Sequence, residues 1–192
     1  MAYTLYYHTK CEQVFGRAWG LYAMLQHAGK DFTCKAPDEV PAGIGFAVPI
    51  LTSPAGWSIA QTNAITMALG KELGLAPGGG AIADAKAAQL VADAGDFTSE
   101  ISAGKPDERI MAWLTYIEGQ MQGDYFMGEL SFVDFAFYAP FVNVVLKKGK
   151  GKMEGVNLPP KIRKFVDETM PAITAVAEMN ASGVAMLPDY LI

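Results

Sequence analysis

Two short stretches of this 192-residue sequence combine residue types in ways that could do chemistry. The first is Val48-Pro49, set inside an otherwise strand-like run from Ala47 to Thr52. Proline brings no N–H to a sheet ladder, so here it marks an edge, a bulge or a cis turn. The residue before such a proline can keep its own N–H and C=O for an extended, peptide-like ligand; a plain edge-strand proline is the competing reading. The second is Gln61-Thr62, at the start of a helix that directly follows a strand. Exposed N–H groups and a hydroxyl at a helix N-terminus suit a carboxylate, against the plainer reading of Thr62 as an ordinary N-cap. The two histidines, His8 and His27, are too few and too separated for a metal site, and no Cys/His cluster accompanies them.

The elements that must hold these residues follow from periodicity. Tyr3 to Tyr7 alternates and is aromatic-rich, so it predicts a strand. Thr9-Lys-Cys-Glu12 has capping-box form and predicts a helix with Val14, Ala18, Leu21, Tyr22 and Leu25 on one stripe, ending near Gly29. Asp31 to Lys35 is a second strand, and Pro37 to Gly45 a loop. Two further strands, 47–52 and 56–60, flank the turn Ser53-Pro-Ala-Gly56, and Thr62 caps a helix running to Gly74. Ala76-Pro-Gly-Gly-Gly80 reads as a linker, and everything beyond it as helical: 82–103, 107–122, 131–146, 159–170 and 171–182. The helix from Ser131 is apolar nearly all round (Phe132, Phe135, Phe137, Phe141, Val145), which places it at the centre of its domain, and Ser131 with Asp134 supplies an S-x-x-D cap.

Composition narrows the function. Fifteen Lys+Arg against twenty Asp+Glu give a formal net charge of -5, which argues against a nucleic-acid binder. A 51% hydrophobic fraction excludes disorder, and two cysteines exclude a disulfide scaffold while fitting free thiols in a reducing compartment. Residues 40–70 carry no charge at all, yet prolines, glycines, Gln61 and Asn63 break them well short of the ~18 apolar residues of a membrane span. The expectation is a cytoplasmic chain with no membrane partner.

Together these residues carry a resemblance. The stretch VPILTSPAGWSIAQTNAITMALGKELGL resembles the glutathione-binding unit of the thioredoxin-like domain of glutathione transferases, and GELSFVDFAFYAPF resembles that family's buried helix with its S/T-x-x-D box. LPPKIRKFVDETMPAITAVAEM is similar to the family's closing helices, so the likeness covers almost the whole chain in order. The resemblance implies an α/β thioredoxin-like N-terminal domain (1–76) followed by an all-α C-terminal domain (77–192), paired as a homodimer. It implies glutathione as co-substrate, its cysteine backbone paired with Val48 before a cis Pro49 and its γ-glutamyl end held at Gln61 and Thr62. It nominates Asp93, with Asp96 a rival, as a residue reaching across the dimer; a solvated helix face is the plainer reading.

The family activates the glutathione thiol with one hydrogen-bond donor near the end of the first strand or the start of the first helix. Tyr7 matches the tyrosine of sigma-like classes, and Arg17, in Gly16-Arg-Ala18, would add positive charge near the sulfur. Tyr7 lies nine residues before Gly16, about one helical turn more than in that type. The extra turn puts Thr9 and Cys11 at the expected helix start, where a hydroxyl or thiolate is also stabilised. The ranking is Tyr7, then Thr9, then Cys11. Departures from the pattern are Ala47, where Gln or Lys is common, and a 37–45 segment too short for the usual helix. The implied activity is conjugation of glutathione thiolate to small hydrophobic electrophiles, as in detoxification, in a cleft near Tyr7, Met111 and Trp113. The alternatives are a non-catalytic binding or structural protein, and a Cys11-dependent thiol transferase or dehalogenase.

Overall fold

The computed structural model describes residues 2–187. Among them, four strands form one sheet in the order β2-β1-β3-β4: β1 (Tyr3–Tyr6), β2 (Phe32–Lys35), β3 (Ile50–Thr52) and β4 (Ser58–Ala60). β1 runs parallel to β2, with Leu5 opposite Cys34, and antiparallel to β3, with Leu5 opposite Leu51. The parallel pair needs a crossover, and α1 (Trp19–His27) makes it. α2 (Thr62–Glu72) follows β4, and its last residue ties it to the sheet: Glu72 accepts hydrogen bonds from Tyr3, Ser53 and Trp57.

The rest is helical: α3 (Gly80–Ser102), α4 (Asp107–Glu118), α5 (Phe132–Gly149), α6 (Pro160–Lys164) and α7 (Thr174–Ala181). The chain is therefore a thioredoxin-like α/β domain followed by an all-helical domain. α6 continues into one π-helical turn, Phe165–Thr169. None of the described helices is long and apolar enough to cross a membrane.

α5 is the axis of the helical part. Phe132, Phe135, Phe137 and Phe141 are wholly buried, whereas Val145, expected inside, is 42% exposed. Its start is fixed by a buried carboxylate. Asp134 accepts the Phe126 N–H at 3.0 Å, the Ser131 N–H at 2.8 Å and the Ser131 hydroxyl at 2.9 Å. The expected S-x-x-D cap thus forms in its reach-back half, with the serine hydroxyl donating to the carboxylate. The helix also packs without clearance against the first domain: a Cβ on Gly20 would lie 2.7 Å from the Phe135 carbonyl oxygen, and one on Gly70 would fall into the Phe132 ring.

The other expected capping box does not open a helix. Thr9, Lys10 and Cys11 all have left-handed φ (51°, 52° and 57°), and a right-handed helix does not propagate through them. His8–Cys11 is instead a tight 3-10 turn, and α1 starts only at Trp19. Val14, assigned to the helix stripe, sits in a parallel bridge to Ala185. At α2 the capping residue is Gln61, and Thr62 is the first helical residue rather than the cap.

Burial raises the Asp134 carboxyl to about 6, against the opposing hydrogen bonds, compared with ~3.9 in an unfolded chain. The native state therefore holds this proton more tightly, and the group's contribution to stability is greatest below about pH 4 and declines as pH rises through 6. Against Asp134→Asn, which cannot ionise, the stability advantage of the native residue should shrink by about 2–3 kcal/mol between pH 4 and pH 7. Urea melts of both proteins at the two pH values measure it, and a constant difference would contradict the assignment.

Candidate functional site

A cavity of about 750 Å³ opens between the two domains. Tyr7, Thr9, Arg17, Val48 and Thr62 line its first-domain side; Gln61 and Pro49 stand immediately beside that lining.

Tyr7 comes off the central strand, its N–H bonded to the Lys35 carbonyl at 3.0 Å, and its ring is buried. The chain then makes the left-handed turn and returns so that the Arg17 N–H donates to the Tyr7 hydroxyl at 2.8 Å. An accepted hydrogen bond polarises a hydroxyl and makes it a better donor. Gly16 permits this approach: its φ is +46°, and a Cβ there would land on the Tyr7 hydroxyl oxygen. The Arg17 guanidinium reaches Ser99 on α3 at 3.2 Å, which holds its positive charge at the cavity rim. Thr9 lines the same cavity, and its Oγ1 accepts long hydrogen bonds from Gln13 and Val14, at 3.4 and 3.3 Å.

The Val48–Pro49 peptide is cis. β3 begins only at Ile50, and neither the N–H nor the C=O of Val48 takes a partner among the described residues. Next to it, α2 presents its first turn with no side-chain cap, so the N–H groups there point outward unmet. Gln61 enters this helix with φ +74°, a left-handed conformation that costs about 1–3 kcal/mol in a non-glycine residue. Backbone strain of that size is characteristic of ligand-holding positions.

Other residues nominated from the sequence lie elsewhere. Cys11 is buried and outside the cavity lining; its thiol donates to Cys34, and that bond together with burial pushes Cys11 up and favours thiolate on Cys34. Asp93 accepts from the Tyr116 hydroxyl at 2.9 Å and from Gln89 at 3.3 Å, on the α4 side of α3. The expected cleft residues Met111 and Trp113 do not line the cavity either. Trp113 packs on Phe97 and under the Arg109 guanidinium, and the Met111 sulfur accepts from the Asn157 N–H.

The helical wall comes instead from α3 (Val91, Ala94, Gly95, Thr98, Ser102) and α5 (Phe135, Ala136, Ala139, Pro140, Asn143). Ala185 and Leu187 complete it from the C-terminal segment, which zips onto residues 13–16 through the hydrogen bonds Ala185 N–H to Gln13, Phe15 N–H to Ala185 and Gly16 N–H to Met186. No local pattern announced that segment. Pro140 and Asn143 did leave a signal, as polar or helix-breaking positions inside an otherwise apolar helix.

No protein-family model matches the sequence, and no curated protein matches it either. Solved structures do. A monomeric glutathione S-transferase from the hookworm Necator americanus superposes with a TM-score of 0.71 at 19% identity, covering 95% of this chain and 97% of its own. The glutathione S-transferase from Ascaris lumbricoides gives 0.70 at 16%, covering 94% and 97%. A glutathione transferase family member from Pseudomonas fluorescens, solved with two glutathione molecules bound, gives 0.68 at 14%, covering 92% and 91%. The chain has the glutathione transferase fold.

The thiols give a direct check of the site's first-strand side. Under brief alkylation of the native protein at neutral pH, Cys34 should label well before Cys11, and both should label after denaturation. Peptide mass spectrometry reads the order, and early labelling of Cys11 would restore it as an accessible nucleophile.

Proposed function

We propose that this protein is a cytosolic glutathione transferase that adds the glutathione thiolate to small hydrophobic electrophiles. One observation carries the reading: a buried tyrosine hydroxyl, an unpaired peptide before a cis proline and an uncapped helix N-terminus all meet at one cavity. Val48 would pair its N–H and C=O with the cysteinyl backbone of the tripeptide. The strained Gln61 and the first turn of α2, with Thr62, would hold the γ-glutamyl carboxylate. Asp93 would act across a dimer interface, where its bonds to Tyr116 and Gln89 keep the carboxylate oriented. The two free cysteines fit a reducing, cytoplasmic setting.

Tyr7 is the proposed catalytic residue. A free thiol has a pKa of ~8.5, so little thiolate is present at neutral pH. The Tyr7 hydroxyl, polarised by the Arg17 N–H, donates to the sulfur and stabilises the anion, with the Arg17 charge adding to the field. The sulfur then forms a bond to the electrophilic carbon. In a substitution the leaving group departs with its electron pair; in an addition the displaced π pair takes a proton. Thr9 stands second as donor, because the two hydrogen bonds its oxygen accepts are long, at 3.4 and 3.3 Å, and polarise it less than the 2.8 Å bond polarises Tyr7. The burial of Cys11 weighs against a covalent route.

Tyr7→Phe should lower turnover at neutral pH by ~10²-fold, with partial recovery as pH rises and little change in glutathione affinity. Stopped-flow titration of the bound thiol, with Thr9→Val alongside, tests the assignment; a flat response to Tyr7→Phe would remove it. Homodimer formation has its own handle in Phe46, which stands wholly exposed in the loop before Val48. Phe46→Asp should shift the protein toward monomer in sedimentation velocity, and an unchanged profile would place the interface elsewhere.

A further inference from the structure

The proposed chemistry leaves the chain's two cysteines unused, yet the fold brings them together. Cys34 stands opposite Leu5 in the parallel pair, so its side chain lies on the face of the sheet that packs into the core. The chain leaves β1 through Tyr7, whose N–H is tied to the Lys35 carbonyl next to Cys34, and the left-handed turn then packs back against β2. That turn buries one residue, Cys11, and its thiol donates to Cys34. The two sulfurs differ in character. The bond from Cys11 holds the Cys34 thiol below its ordinary value, against burial and the nearby Glu12 carboxylate, while the same bond and burial push Cys11 up. Cys34 is half-buried, whereas Cys11 is 4% exposed. One is a reachable nucleophile and the other a shielded thiol in contact with it.

We propose that Cys34 and Cys11 form a reversible redox pair, with Cys34 the site oxidised by hydroperoxides and Cys11 the thiol that resolves it. The Cys34 thiolate attacks the distal oxygen of the hydroperoxide and becomes a sulfenic acid. The O–O bond breaks, and its electron pair leaves with the alkoxide, which takes a proton to become the alcohol. The Cys11 sulfur then bonds to the Cys34 sulfur, the S–O bond breaks, and the hydroxyl leaves as water with the Cys11 proton. Two molecules of a small thiol such as glutathione return the electrons. The first opens the bond as a mixed disulfide, and the second frees the protein thiol and leaves as the small disulfide. With a thiol already in contact, the sulfenic acid closes before a second peroxide can carry it to the irreversible sulfinic acid. The bond forms beside the site: His8 and Thr9, in the same turn as Cys11, line the cavity, and the disulfide ties that turn covalently to β2.

The test treats the native protein with hydrogen peroxide at neutral pH, blocks remaining thiols after denaturation, and maps peptides without reduction. Trypsin separates the cysteines, Cys11 in residues 11–17 and Cys34 in residues 31–35. The two peptides should appear joined, and reduced glutathione added to the oxidised protein should part them. The oxidised protein should also melt about 5 °C higher, because the bond closes the loop between the two residues. In Cys11→Ser, Cys34 should be trapped by dimedone as the sulfenic acid and pass on to sulfinic acid. In Cys34→Ser, Cys11 should stay unmodified. Sulfinic acid on Cys34 of the native protein with no joined peptide overturns the proposal. So does a disulfide between the Cys34 residues of two copies, a joined species that glutathione does not open, or no reaction with peroxide. If Cys11→Ser fails to fold, the native peptide map decides. None of these readouts uses transferase activity, so the pair is tested independently of that reading.

Discussion

The structure depends on a carboxylate kept out of water. Asp134 is fully buried, and its three donors, the Phe126 N–H, the Ser131 N–H and the Ser131 hydroxyl, come from the turn that precedes its own helix. A buried charge is tolerated only with such partners, so the turn and the helix form together or not at all. The next N–H, that of Phe132, donates to the Leu75 carbonyl at 2.9 Å, which carries the constraint into the first domain. Phe132 then fills the notch left by Gly70, and Phe135 brings its carbonyl against Gly20. With its head pinned in this way, α5 has one rotational setting, and that setting turns Ala136, Ala139, Pro140 and Asn143 toward the cavity.

The opposite wall is built by a different device. Nothing local fixes the segment between β1 and α1, since Thr9, Lys10 and Cys11 take left-handed backbone in succession. Three tertiary contacts hold it: Cys11 seated against Cys34, the Tyr7 hydroxyl taking the Arg17 N–H, and Ala185 and Met186 hydrogen-bonded along residues 13–16. The site therefore joins a rigid helix, specified early in its own sequence, to a loop that takes shape only once distant pieces arrive.

That contrast explains what could be read from the sequence. Ser131-x-x-Asp134 and Thr9-x-x-Glu12 are the same motif on paper. The first caps a helix because both partners are buried and the following residues are apolar on every side. The second fails because Thr9 and Glu12 are exposed, while Cys11 between them is drawn into the core beside Cys34 and dictates the turn. Val48-Pro49 was legible because proline restricts its own backbone wherever it lies. The cleft wall was not: Met111 and Trp113 are apolar, but Trp113 packs against Phe97 inside the helical domain. Apolar type predicts burial without saying which side of a helix is buried in protein and which in a cavity.

The two ends of the cavity differ in what they offer a ligand. At the first-domain end the protein offers donors: the unmet N–H groups of the first turn of α2 and the guanidinium of Arg17. Under the proposed function, an anionic thiol peptide would meet complementary charge there. At the α3–α5 end, Thr98 and Ser102 line the cavity with their hydroxyl protons given to helix carbonyls, so what their oxygens keep is lone pairs. A molecule carrying carboxylates is thus drawn to the first-domain end before any shape complementarity acts. The proline in the middle of α5 fits this division. In an exposed helix interior it costs about 3 kcal/mol, in part through the carbonyl it leaves unmet. Here Pro140 and Ala136 both line the cavity, so the break in the helix ladder lies on the side of α5 that borders the cleft.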